Sequence, residues 1–208
     1  MQTIMLATDN QSKVAELSAL LVSSIGFSGL VLGLSDFPNI KKIKETGVTF
    51  AQNARIKAEI AFAATGLLVV ADDSGLEVDA LGGAPGVYSA RYAGVGRPRA
   101  DAANNEKLLG ELAGLPPERR GGCFVCATVA VGPYGFFCAA EGRWEGRILT
   151  IPRGKGGFGY DSLFLDEELG LTAAEMSLEQ KNSRSHRGRA FRMLFSGWTE
   201  FFTWAMCS

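Results

Sequence analysis

No stretch of the 208 residues approaches the ~20 consecutive apolar residues of a membrane-spanning helix, so no span is expected. The first residues, "MQTIMLATDNQSK", lack the basic region and small-residue cleavage site of a secretory signal. Charge of either sign is not in excess: the formal net charge is −1, which excludes a global positive field that would recruit nucleic acid or an anionic membrane. Any anion site must be built locally. Metal-binding side chains are scarce too, with one histidine and four cysteines. "CFVC" has the CxxC spacing, but it lies in "GGCFVCATVAVG", which reads as a strand, and positions i and i+3 of a strand face opposite sides. Zinc asks for four ligands, and no second Cys/His pair is present. The cysteines therefore read as reduced core residues of a cytoplasmic protein. There is no internal repeat, low-complexity segment or linker, and the length suits one large domain over 1–208.

Glycine is missing from one place where it would be informative. "TDNQSK", residues 8–13, sits between the apolar run "TIMLA" and a helical pattern, where a phosphate loop belongs, yet it lacks the two glycines of a Walker A loop. "QTIMLAT" reads as a short buried strand. From Asn10, an acceptable N-cap, the residues Val14, Leu17, Leu20 and Leu21 recur at helical spacing through about Ser24. A second helix is signalled by Thr49 as cap, "FAQNARIKAEIAFAAT", and Gly66 as stop. "LLVVA" is a buried strand ending in "DDSG", where Ser74 and Gly75 predict a turn; "GLEVDAL" alternates like a half-exposed strand, and "GGAPG" is a loop. "ADAANNEKLLGELAG" predicts a helix stopped by Gly114, followed by strands over 121–132 and 136–150 with "GPYG" between them. Near the end, Phe191, Leu194, Phe195, Trp198 and Phe202 recur at spacings of three and four, which predicts an amphipathic helix facing a core or a subunit interface. Early alternation of helices and strands with a later hairpin predicts an α/β fold on a mixed, twisted sheet with flanking helices.

Four pieces carry chemistry-bearing residues. Asp72 and Asp73 are costly at the mouth of a buried strand unless a cation or hydrogen bonds compensate them. In strand geometry they point to opposite sides, and the ordinary alternative is a solvated strand end. "GKGGFGYD" carries four glycines over 154–159 that allow close backbone approach, with Phe158 and Tyr160 as flat surfaces for a base, although such loops often only connect strands. "SLEQKNSRSHRG" gathers Lys181, Arg184, His186 and Arg187 at a helix mouth, where anions bind well. A lone histidine is more often a structural hydrogen-bonder. Glu45 lies just before the second helix and could equally be a surface residue.

Taken in order, "LATDNQSKVAEL", "ETGVTFAQNARIKA", "ADDSGLEVDALGGAPGVYSARYAG", "GGFGYDSLF" and "TAAEMSLEQKNSRSHRGRA" resemble, nearly end to end, the inosine triphosphate pyrophosphatases of the Ham1-like type. That resemblance implies two lobes around a central nucleotide cleft and a homodimer, while the near-neutral charge speaks against a nucleic-acid partner. It implies magnesium-dependent hydrolysis of deaminated purine triphosphates (ITP, dITP, XTP) to monophosphate and pyrophosphate, cleaning the nucleotide pool. By the same resemblance Asp73 is the general base and lies at the Mg2+, with Glu45 as the other metal-side carboxylate. Thr8, Asp9, Asn10, Gln11, Ser12 and Lys13 match the triphosphate contacts, and Ser74 a substrate-binding serine. Phe158, Gly159, Tyr160 and Asp161 match the base-pocket loop, while Lys181, His186 and Arg187 match further substrate contacts; Lys57 is an additional phosphate candidate. The family usually has glycine where this chain has Asp9. A nucleotidase with another base preference, or a nucleotide sensor without turnover, would share most of these residues.

Overall fold

Apolar residues on both faces make the first strand an interior one. β1 (Thr3–Leu6) runs between β2 (Leu30–Gly33) and β3 (Leu68–Val78), parallel to both, and Ile4, Met5 and Leu6 are at most 1% exposed. The computed structural model describes residues 3–41, 43–95 and 100–198. Between β1 and β2 lies α1 (Gln11–Ile25), which places Leu17, Leu20 and Leu21 in the core, as their spacing predicts. α2 (Phe50–Thr65) follows β2; its Thr49 cap accepts a hydrogen bond from the Gln52 N–H, and Gly66 ends it at φ +67°. The expected start and stop signals are thus both used.

β3 departs from expectation. It does not turn at Ser74–Gly75 but continues as one strand of 11 residues with Asp72 and Asp73 buried in its middle. The reason lies on both sides of the pair: Val69 and Val70 before it and Leu76 and Val78 after it are fully buried, and one continuous strand is the geometry that buries them all. α3 (Ala100–Glu111) is followed by β4 (Gly121–Val131) and β5 (Phe137–Ile148), joined through the expected turn, where the Gly132 N–H bonds to Phe136 O at 3.1 Å. Two short antiparallel strands, β6 (Phe164–Asp166) and β7 (Leu171–Thr172), complete one mixed sheet of seven strands in the order β2-β1-β3-β4-β5-β6-β7.

The basic segment near the end forms two helices, α4 (Leu178–Arg184) and α5 (His186–Ser196). α4 opens on a reciprocal cap: the Ser177 hydroxyl accepts from the Gln180 N–H at 3.1 Å, and the Gln180 side chain accepts from the Ser177 N–H at 2.9 Å. "SLEQ" carries that signature in the sequence. The anticipated amphipathic helix is α5, and Phe191, Leu194, Phe195 and Trp198 are buried to 2% exposure or less in the core of the chain itself, so they offer no subunit interface. Phe202 and Cys207 lie outside the described residues. Cys123, Cys126 and Cys138 are free thiols. Among the described residues no helix is long and apolar enough to cross a membrane.

The chain divides into two compact units. The first comprises the residues up to Asp73, Cys126–Gly142 and the part from Arg187 onward; the second comprises Ser74–Val125 and Arg143–His186. The first has clusters around Leu21, Phe191 and Trp198 and around Met5, Ala58 and Val69. The second is built on Leu76, Leu108, Trp144, Phe164 and Tyr160.

Two glycines of the second unit test this packing in opposite directions. A Cβ on Gly146 of β5 would stand 2.5 Å from the Leu165 carbonyl oxygen and 2.6 Å from the Phe164 ring, so Gly146→Ala is expected to destabilise by about 1–3 kcal/mol. Gly110 on α3 is exposed with open space around it, so Gly110→Ala is expected to stabilise by about 0.5–1 kcal/mol. Urea unfolding of the two variants measures both.

Candidate functional site

Strand alternation sends the two β3 carboxylates to opposite faces, and in the first unit they meet different helices. Asp72 faces α1 and the start of α5: its Oδ2 lies 2.8 Å from Lys13 Nζ and 3.4 Å from Arg187 Nε, with the Cys126 thiol at 3.9 Å. The Arg187 guanidinium also pairs, through Nη1, with Glu16 of α1. Burial by itself would push the Asp72 carboxyl up, but Lys13, Arg187 and Lys57 overcome it and hold the group well below the usual carboxylate range. Arg187 is raised for the converse reason: burial would lower it, and Asp72 and Glu16 outweigh that. The Cys126 thiol is pushed up, first by burial and then by Asp72, which makes it a neutral neighbour rather than a nucleophile.

Asp73 faces α2. Its Oδ2 accepts from Asn53 Nδ2 at 3.0 Å, and its Oδ1 lies 3.3 Å from Lys57 Nζ, which also reaches Glu45 Oε1 at 2.8 Å. Burial, then the Glu45 charge, raise the Asp73 carboxyl against the pull of Lys57 and Lys13. Lys57 is raised because Asp73, Asp72 and Glu45 outweigh its desolvation. Two carboxylates thus converge on one ammonium, an all-oxygen pair of the kind a hard divalent cation takes together with phosphate oxygens and water. Among the described residues no group of three or more His, Cys, Asp or Glu side chains could hold a metal ion. A cation bound here would draw its remaining ligands from a substrate and solvent, which is the usual manner of magnesium.

The segment before Lys13 is short and tight. The Asn10 N–H bonds to Thr8 Oγ1 at 3.2 Å, and the Asn10 carbonyl takes the first helical bond from Val14. Asp9 and Gln11 are exposed and Thr8 is half-buried; the Ser12 side chain lies outside the described residues. Asp9 therefore spends its charge in solvent.

In the second unit, Ser74 follows the carboxylates half-buried on β3. The glycine-rich loop is anchored from within. Asp161 Oδ2 accepts from the Phe158 N–H at 2.9 Å and from Lys181 Nζ at 2.7 Å, and both charged groups are buried. Gly157, at φ +72°, is required there, because a Cβ would fall 2.0 Å from Asp161 Oδ2. Tyr160 is not a stacking surface: its ring lies in the core at 4% exposure with its hydroxyl donating to Ser89 O at 2.9 Å. Phe158 is half-buried, and Lys181 Nζ sits 5.0 Å from its ring centroid. His186 is buried and stacked parallel to Phe124 at 4.8 Å, with Trp144 beyond at 6.4 Å.

Several residues of this arrangement escape sequence reading. Glu16 and Asn53 lie on the apolar stripes of α1 and α2, and Asp101 and Asn105 of α3 hold Gly159 by its N–H (2.8 Å) and its carbonyl (3.0 Å). For Glu16 and Asn53 a signal existed: a polar residue at the helical spacing of the buried positions. For Asp101 and Asn105 there was none, since both sit on a helix of mixed polarity.

Asp72→Asn leaves the half-buried Lys13 and the buried Arg187 short of one counter-charge and is expected to cost about 3–5 kcal/mol, read from urea midpoints. Because folding depresses the Asp72 carboxyl below its ordinary 3.8, its stabilisation is complete at neutral pH and fades as pH drops below that value. Below about pH 4 the wild type should therefore lose stability more steeply with falling pH than Asp72→Asn does.

Known proteins match this chain over nearly its whole length. The Ham1 family profile matches residues 4–197. The dITP/XTP pyrophosphatase of Nitratidesulfovibrio vulgaris is 52% identical over 204 residues, covering 96% of this chain and 97% of the relative. The solved Staphylococcus aureus Ham1 protein superposes with a TM-score of 0.82 at 38% identity, covering 96% of this chain and 99% of that one. The solved nucleoside-triphosphatase (dITP/XTP pyrophosphatase) of Mycobacterium abscessus gives a TM-score of 0.72 at 48% identity, over 90% and 95% of the two chains. With this coverage and identity, and with its mixed seven-stranded sheet, the chain belongs to the Ham1 family.

Proposed function

We propose that this protein hydrolyses deaminated purine nucleoside triphosphates (dITP, XTP and ITP) to the monophosphate and pyrophosphate, with magnesium, and so clears them from the nucleotide pool. The observation that carries the reading is the meeting of Glu45 and Asp73 on the Lys57 ammonium, at 2.8 and 3.3 Å. Relatives at about half identity bear the name dITP/XTP pyrophosphatase.

In this reading Glu45 and Asp73 hold Mg2+, which neutralises phosphate charge and polarises the phosphoryl oxygens when bound. Asp73 takes the proton of the attacking water. The water oxygen bonds to the α-phosphorus, the α–β bridging bond breaks, and its electron pair leaves with pyrophosphate. Lys13 and Lys57 act on the phosphates as point charges from helices, without a glycine cradle.

Base choice rests on a donor at the 6-position. A 6-keto oxygen accepts hydrogen bonds where adenine's 6-amino group donates, so a site offering a buried donor leaves adenine donor against donor, at about 1–3 kcal/mol for each unpaired group. Lys181, beside the Phe158 ring, supplies such a donor. Support for a homodimer comes from family resemblance.

Pyrophosphate release should be fast with dITP and XTP and slower by about 10²-fold or more with dATP. It should require Mg2+, and in Asp73→Asn it should fall by about 10²–10⁴-fold while the fold, read by circular dichroism, is kept. Tight dITP binding without turnover would instead identify a sensor, and equal rates with dATP would overturn the base assignment. Sedimentation of dilute protein is expected at the mass of a dimer.

A further inference from the structure

We infer that Asn53 is a positioning residue that ties the loop carrying Glu45 to Asp73 and so sets the spacing of the two metal-side carboxylates. The inference rests on the reading that Glu45 and Asp73 hold the metal.

Asn53 is fully buried on α2, one turn after Thr49 and one turn before Lys57, among Phe50, Ala54 and Ala58. An amide on that stripe is costly unless both its ends are bonded. Both are. Its Oδ1 accepts from the Gly47 N–H at 2.8 Å, and its Nδ2 donates to Asp73 Oδ2 at 3.0 Å. Gly47 comes two residues after Glu45, so the contacts close a ring: Glu45 to Lys57, Lys57 to Asp73, Asp73 to Asn53, Asn53 to Gly47, and back along the backbone to Glu45.

The loop is shaped to close on this amide. A Cβ on Gly47 would stand 2.8 Å from Asn53 Oδ1 and 2.7 Å from Gln52 Cβ, so glycine is what lets the backbone approach. Beside it, the exposed Gln52 accepts from the Val48 N–H at 2.8 Å, which docks the loop end on the helix without reaching Asp73. Lys57 and Asn53 bridge the carboxylates differently. A divalent cation held by Glu45 and Asp73 would compete with the Lys57 ammonium for Glu45 Oε1 and Asp73 Oδ1, whereas the neutral Asn53 amide sits on the other Asp73 oxygen, Oδ2. With the ammonium displaced, Asn53 would remain as the link that keeps the two carboxylates in register. Such outer partners orient ligands without touching the reacting atoms.

The test uses the full chain with Asn53→Ala, Asn53→Asp and Gln52→Ala. Asn53→Asp keeps the acceptor for Gly47 but places a carboxylate against Asp73. Two quantities are read: dITP hydrolysis with Mg2+, and binding of Mn2+ to the protein by electron paramagnetic resonance. Both Asn53 variants are expected to lower kcat and weaken Mn2+ binding by about 10- to 100-fold, with KM for dITP within about threefold of wild type. Gln52→Ala should leave both within about twofold. A folded Asn53→Asp with wild-type kcat and Mn2+ affinity would overturn the inference, as would a Gln52→Ala loss of equal size, since loop docking alone would then explain it. If neither Asn53 variant folds, Gly47→Ala breaks the link from the loop side, with the same two outcomes. A wild type inactive toward dITP would sink the pyrophosphatase reading alone, because the Mn2+ titration still reports on the Asn53 link.

Discussion

Two adjacent carboxylates buried in the middle of β3 are the constraint around which the first unit is arranged. An aspartate in that position is tolerated only if cations and donors reach it, and each of the two draws its own set. Asp72 brings Lys13 from α1 and Arg187 from α5, with Glu16 balancing the second cation; Asp73 brings Asn53 and Lys57 from α2, and through Lys57 the loop at Glu45. The helices are thus bound to the strand by charge as well as by their apolar stripes. The two environments push the two carboxyls apart, Asp72 down and Asp73 up.

The second unit solves a different problem, that of holding a glycine-rich segment in one conformation. Glycine gives the loop freedom that must be removed again, and the restraint comes from Asp161, which takes the Phe158 N–H and the Lys181 ammonium, and from α3, which grips both sides of Gly159. Tyr160 anchors the same loop by burying its ring and donating to Ser89. Phe158 is left half-exposed with a cation beside its face, a surface suited to a planar, hydrogen-bonding ligand.

How legible was this in the chain itself? Helices α1, α2 and α5, the β4–β5 pair and the mixed sheet follow from periodicity and from Thr49 and Gly66, because local spacing and caps suffice for them. The "DDSG" stretch misled, since acidic residues ordinarily end a strand, and nothing local announces that Lys13, Lys57 and Arg187 will arrive to compensate them. β6 and β7, at three and two residues, are too short to show a period.

Sequence alone determined the α/β class, the family motifs and the residue types available for phosphate and metal chemistry, since these depend on local pattern and on the identity of side chains. Tertiary structure decided which charge meets which. It assigned Asp72 to the Lys13 and Arg187 side and Asp73 to the Lys57 and Asn53 side, moved Tyr160 from ligand surface to core, and set His186 in an aromatic stack. Those outcomes depend on pairs up to 115 positions apart along the chain, as with Asp72 and Arg187, and burial makes such pairings energetically decisive only once packing has brought them together.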